Sequence, residues 1–218
     1  MATILYLRET TTSGIAGYRD LHTTAGASAV TTGVVTSTDS GTEIQWTKTA
    51  GGVALAWISG RAPVGGFTLS GSMSFSIWAH ESGTGVNAGG RARVFIRTAA
   101  GVETEVGGGP YSDGVEFTKT TPTEMTWTGS PTSTGFSEDD RLVIKYYITN
   151  TATMGAGTCT LTYDNAAAAT GDSLFQINET ITFKANTDIG TVQGLTKSSV
   201  GTVQGLTLAS VGTIEGLS

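Results

Sequence analysis

Two histidines, one cysteine and a scatter of acids are the side chains in this 218-residue sequence that could do chemistry. His22 and His80 are far apart in the chain. "AHES" sets His80 beside Glu81, but successive strand residues point to opposite faces, so the two cannot act together without a bulge. A surface or interface histidine is the favoured reading. Glu138, Asp139 and Asp140 run consecutively in "SEDDR" and could offer hard oxygens to calcium. Nothing resembles an EF-hand loop, and acids placed just before a strand are turn formers, which is the reading preferred here. A glycosidase needs two carboxylates about 5–10 Å apart in a cleft. Glu103, Glu105, Glu116 and Glu124 qualify by type, and no spacing selects two of them. There is no G-x-S-x-G and no local Cys/His pattern. "GVNAGGR" and "GVETEVGGGP" are glycine-rich, yet neither leads into a helix, so neither reads as a phosphate loop. Asn178-Glu179-Thr180 is formally a glycosylation acceptor, which means little without a secretory signal. Cys159 is alone, which excludes an intrachain disulfide and a cysteine-based metal site; within "GTCTLTY" it reads as a small core residue. The expectation is no catalytic, cofactor-binding or metal-binding residue, no cofactor, and a chain that is not an enzyme.

The charge balance narrows the partners. Formal net charge is −6, and only 14% of residues are charged, well below the usual quarter. Solubility then rests on Thr, Ser, Asn and Gly, which suits a protein that assembles. The densest cationic stretch is "GRARVFIR", with Arg91, Arg93 and Arg97 on one face of a strand. Tracking a phosphate backbone takes more than that, so nucleic acid is excluded as a partner. "MATILYLRET" lacks the charged and apolar regions of a signal peptide. No apolar run approaches the roughly 20 residues that span a bilayer, so synthesis in a cytoplasm and no membrane partner are expected.

These residues must be held by strands. Helical periodicity is nearly absent, "DNAAAATGD" being at most one turn or a loop. Period-two patterns recur in "ATILYLRE", "TEIQWTK", "GGVALAWIS", "GSMSFSIWAHES", "RVFIRT", "TEMTWTG", "DDRLVIKYYITN", "TCTLTYD" and "FQINETITFKA". Met73, Phe75, Ile77 and Ala79 share one face of their strand, and Leu142, Ile144, Tyr146 and Ile148 share one face of theirs. Gly-, Asn- and Asp-rich joints separate the strands. The fold class is therefore all-β, an antiparallel β-sandwich of jelly-roll type over residues 1–186. Trp78, on the polar face of its strand, and Tyr111, in a Gly-Pro-Tyr-Ser-Asp turn, are expected as exposed aromatics. They could stack on sugar rings; contact with a neighbouring subunit is favoured, because no polar cluster accompanies them.

Residues 187–218 are a different object, an eleven-residue unit written nearly three times. Its apolar positions are Ile189, Val192 and Leu195, then Val200, Val203 and Leu206, then Val211, Ile214 and Leu217. An eleven-residue period suits a right-handed coiled coil, but two glycines and several β-branched residues per unit disfavour helix. Short strands joined by glycine turns fit better. Three such units bury too little to stand alone, so these nine residues are expected to form an assembly interface with symmetry copies, with the sandwich or with another protein.

The stretches "LYLRETTTSGIAGYRDLHTTAGAS", "GTEIQWTKTAGGVALAWISGR", "SIWAHES", "FSEDDRLVIKYYITN" and the terminal "VGTVQGLT" units together resemble small structural proteins of tailed bacteriophages. That resemblance implies a virion component with a jelly-roll sandwich. Within it a capsid decoration, or cement, protein is expected, bound to the major capsid protein, homo-oligomeric and with a trimer favoured. The alternatives are a tail-fibre or receptor-binding component that recognises host glycans, and a free carbohydrate-binding module.

Overall fold

The computed structural model describes residues 2–10, 14–26, 31–36, 43–49, 52–83, 86–112, 114–118, 120–149, 157–165 and 170–184, and the backbone of 194–196, 202–203, 206–207 and 213–215. There is no helix among them. Residues 3–177 carry β1 (Thr3–Leu7), β2 (Arg19–His22), β3 (Thr31–Thr36), β4 (Glu43–Gln45), β5 (Ala56–Arg61), β6 (Phe67–Leu69), β7 (Met73–Glu81), β8 (Gly89–Arg97), β9 (Glu103–Glu105), β10 (Thr123–Gly129), β11 (Thr134–Phe136), β12 (Arg141–Thr149), β13 (Thr158–Tyr163) and β14 (Leu174–Ile177). The all-β sandwich expected from the sequence is what forms.

Two nine-residue strands organise it, β7 in one layer and β12 in the other. β7 is paired along one edge by β10, while β14 and β13 share its other edge. β12 has the same plan, with β8 along one edge and β5 and β4 sharing the other. The inward faces are the ones the alternation marked: Met73, Phe75, Ile77 and Ala79 meet Leu142, Ile144, Tyr146 and Ile148 in one buried cluster. Aromatic edges lock the layers together. Trp127 of β10 meets Tyr146 at 6.4 Å between ring centroids, and Trp57 of β5 meets Tyr163 of β13 at 5.1 Å.

One pairing departs from a purely antiparallel sandwich. The first half of β2, Arg19 and Asp20, runs parallel to Trp57 and Ile58 of β5, and its second half, Leu21 and His22, pairs antiparallel with β1. β2 changes layer in mid-strand and so stitches the two sheets. "FQINETITFKA" is also not one strand, because β14 stops at Ile177. Glu179 then turns back and accepts the backbone N–H groups of Ser70 and Gly71 at 2.7 and 2.6 Å.

That contact makes a pH prediction. Burial opposes ionisation of Glu179, but the backbone donors outweigh it and hold the carboxyl below its ordinary 4.5. A depressed folded-state pKa stabilises above the ordinary value and ceases to as pH falls through the folded one. Glu9 behaves likewise, burial being outweighed by hydrogen bonds from Tyr163, Arg19 and Lys48. Acid unfolding monitored by circular dichroism should therefore set in below about pH 4.5, and Glu179→Gln should flatten the curve without abolishing it. An unchanged curve would show that the Ser70–Gly71 contact contributes nothing.

Tyr146 supplies a second test. Its ring is fully buried between Trp57 and Trp127, and its hydroxyl has no hydrogen-bond partner among the described residues. Burial pushes that hydroxyl well above its ordinary pKa. A buried polar group without a partner costs about 1–3 kcal/mol, so Tyr146→Phe should leave stability unchanged or raise it by about 1 kcal/mol. A loss of similar size in denaturant unfolding would mean that the hydroxyl is satisfied.

In the repeat, the described backbone forms β15 (Gly194–Thr196), β16 (Thr202–Val203), β17 (Leu206–Thr207) and β18 (Thr213–Glu215). β16 and β17 pair antiparallel, with Thr202 opposite Thr207 and Val203 opposite Leu206. β15 and β18 pair Thr196 with Thr213. Shifted by one repeat in each direction, Thr196 and Thr213 correspond to Thr207 and Thr202. The two ladders thus use one register twice. Leu195, Val203, Leu206 and Ile214 lie on these strands; Ile189, Val192, Val200, Val211 and Leu217 lie outside the described residues.

An arginine cleft as candidate functional site

β5 and β12 do not pair evenly. Val143 faces Ile58 and Arg141 faces Arg61, so Ser59 and Gly60 together oppose the single residue Leu142. This is a one-residue bulge, a device that re-aims side chains. Strict alternation from Ile58 would turn Arg61 to the core side, because each step along a strand changes face. The bulge instead places Arg61 level with Arg141 and sends Ala62 into the buried cluster. The Leu142 N–H, displaced from its ladder, donates to Ser59 Oγ at 3.0 Å.

On the other side of β12, Arg141 faces Arg97 of β8. Three arginines thus stand abreast on β5, β12 and β8, each at the end of its strand. Like charges directly opposite one another destabilise a sheet. A cleft of about 400 Å³ opens over this row, lined by Arg61, Arg97 and Arg141, by Asp139, by residues 98–101 and by Ile15. Its walls are tight turns. The β8–β9 hairpin is closed by Thr98 and Val102, and Gly101, at φ +88°, offers its carbonyl to Arg97 Nη1 at 2.7 Å. Before β12, Asp140 accepts the Ser137 N–H at 2.8 Å and Asp139 takes φ +67°, rare for a residue with a side chain.

The charges in the cleft are held, not loose. Arg97 lies over the Tyr18 ring at 5.2 Å, Arg141 donates to the Ser59 carbonyl at 3.1 Å, and Arg61 meets Asp139 at 3.6 Å. Asp139 also accepts from Lys184 at 2.9 Å. Burial, then Arg61 and Arg97, press the Arg141 guanidinium below its ordinary pKa, while Asp139 and Asp20 pull the other way. Four residues along each strand, the same sheet face looks different. Arg93 meets Glu43 at 2.5 Å and Glu105 at 2.8 Å, and Lys145 meets Glu103 at 2.6 Å. There the cations are matched by three carboxylates; the row at the strand ends faces a cleft.

The residues singled out in the sequence end up apart. His22 is exposed and accepts the Thr24 N–H at its Nδ1, while His80 sits on β7, half-buried, its pKa lowered by burial. Glu81 is fully buried on the opposite face from His80. Glu103 accepts from Tyr18 and Lys145, Glu105 from Arg93, and Glu124 from Ser76, so three of the four candidate carboxylates are tied into separate contacts; Glu116 is exposed. "SEDDR" forms a turn ahead of β12, and Glu138 and Asp139 both hold Lys184. Cys159 is buried, and burial with nearby Glu81 pushes its thiol up to about 12. Among the described residues, no group of three or more His, Cys, Asp or Glu is placed to hold a metal ion. Tyr111 corrects its expectation: it is 5% exposed, because the ring turns in to stack on Phe75 at 5.4 Å. Trp78 is half-buried on β7.

No family model and no curated protein sequence matches the chain. Solved structures do match it. A CocE/NonD family hydrolase from Staphylococcus aureus superposes with a TM-score of 0.52 at 13% identity, over 81% of this chain and 36% of that one. An aminopeptidase from a marine-sediment Thaumarchaeota archaeon gives 0.55 at 11%, over 82% and 36%. An α-amino acid ester hydrolase gives 0.51 at 10%, over 81% and 36%. The chain thus spans little more than a third of the length of these hydrolases, and at such identities what is shared is the fold. The expectations of a capsid decoration protein, of its fibre and glycan-module alternatives, and of a chain that is not an enzyme are overturned by this finding, since the architecture is one that hydrolases contain.

Proposed function

We propose that this chain is a β-sandwich module of hydrolase type, and that its arginine cleft holds an anionic group belonging to a substrate or product of hydrolysis. The carrying observation is the row Arg61–Arg141–Arg97, brought into line by the Ser59–Gly60 bulge at the mouth of a cleft of about 400 Å³. Hydrolysis of an ester or an amide releases a carboxylate, and adjacent guanidiniums bind a planar, two-oxygen anion well. A ligand that binds the folded state alone raises stability, by about 2.7 kcal/mol at a hundred times its Kd. Thermal unfolding in sodium acetate should thus show a higher midpoint than in sodium chloride of equal ionic strength. Arg141→Gln should remove that difference, while Arg91→Gln, an equal loss of charge outside the cleft, should keep it. Identical midpoints in the two salts for the unaltered chain would refute the reading.

A further inference from the structure

Resting on that reading, we propose that the occupant of the cleft is an aliphatic monocarboxylate, seated with its carboxylate toward Arg97 and Arg141 and its hydrocarbon arm toward Ile15, Ala99 and Ala100.

The lining combines two chemistries. Arg97 and Arg141 are directly opposed residues of an antiparallel pair, so their Cα atoms lie about 4.5–5.5 Å apart. Two guanidiniums carried at that spacing can each meet one oxygen of a carboxylate. Arg61, third in the row, is engaged by Asp139 at 3.6 Å. Asp139 itself lines the cleft, and a carboxylate in the wall repels every additional negative oxygen. A dianion such as phosphate meets that repulsion with its third and fourth oxygens, whereas a monocarboxylate presents two oxygens and no more. Ile15, Ala99 and Ala100 add hydrocarbon to the same lining. Val102, next in the chain after Gly101, is exposed at 60% accessibility in the same hairpin loop. A fully hydrated inorganic anion leaves that surface in water; an aliphatic arm covers it. A few convergent polar groups against apolar lining, within about 300–1,000 Å³, is the usual build of a small-molecule site, and about 400 Å³ falls inside it. Ile15 comes from the β1–β2 connection and also lines a second opening formed by residues 14–18.

The test is calorimetric titration of the full chain with acetate, isovalerate, isovaleramide and inorganic phosphate at constant ionic strength. Isovalerate is expected to bind at least about tenfold more tightly than acetate, because its arm buries extra hydrocarbon. Isovaleramide, the neutral isostere, and phosphate should both be weaker than isovalerate. Ile15→Ser should bring isovalerate down toward acetate and leave acetate unchanged. Phosphate binding more tightly than isovalerate, or acetate matching it, overturns this inference and leaves anion binding standing. Binding of no anion, or of the amide as well as the acid, overturns the inference and the proposed function together.

Discussion

Phe75→Ala is expected to destabilise the sandwich by about 3–5 kcal/mol, the cost of emptying a fully buried aromatic site. Phe75 is fully buried on the inward face of β7, and three other rings close on it: Phe175 at 5.1 Å, Tyr111 at 5.4 Å and Trp127 at 5.6 Å. Those rings come from β14, from the segment after β9 and from β10, so a void here loosens contacts that are distant in sequence. In a chain of this size each kcal/mol is about 2–4 °C of midpoint, so a fall of roughly 6–20 °C should be seen by circular dichroism. Phe75→Leu should lose less than half as much. A loss below about 1 kcal/mol, the level of an ordinary substitution, would mean that these rings do not form the centre of the core.

The second large effect is at the bulge. Gly60 stands where a Cβ would meet the Lys184 carbonyl closer than any real Cβ contact, with the Phe183 Cβ 3.0 Å away. Both obstacles belong to the chain that bridges β5 through Lys184 and Arg61. Gly60→Ala must therefore push that segment off β5 or unwind the bulge. Overpacking of this kind costs about 1–3 kcal/mol. The functional consequence is sharper, because the bulge sets the direction of Arg61 and a register slip would reverse it. The variant is expected to lose both stability and the acetate-dependent rise in unfolding midpoint. Loss of stability with full retention of the acetate response would show that the row does not depend on the bulge.

Much of the sandwich was legible because alternation is a local signal. Met73 to Ala79 and Leu142 to Ile148 announce their buried faces within a few residues, and the structure keeps those faces. The strands the reading passed over, β2, β3, β6, β9 and β11, are mostly three or four residues long or, like β3, broken by a glycine. β3 pairs with β13, and β6 with β11, partners remote in the chain that no local pattern announces. Tyr111 misled for a related reason: a Gly-Pro-Tyr-Ser turn reads as surface, but the Phe75 ring and the Gly107 carbonyl draw the side chain inward.

The candidate site was illegible for a stronger reason. Arg61, Arg97 and Arg141 come from three separate stretches; Arg97 belongs to "GRARVFIR" and Arg141 ends "SEDDR", and nothing local joins them to each other or to Arg61. Their alignment depends on a bulge at Ser59–Gly60, which no local pattern specifies, and on the order in which β5, β12 and β8 lie side by side. A net charge of −6 also hid a local concentration of positive charge. What sequence did offer was an arginine at the end of each of three strands, a signal that acquires meaning only once the register is known.

The central claim is that these three guanidiniums act as one binding site. It is tested most directly by nuclear magnetic resonance of the arginine Nε–Hε groups during titration with isovalerate. The signals of Arg61, Arg97 and Arg141 should move together along one saturating curve, while those of Arg8, Arg19, Arg91 and Arg93 stay in place. Small, unsaturable shifts spread evenly over all the arginines would contradict it.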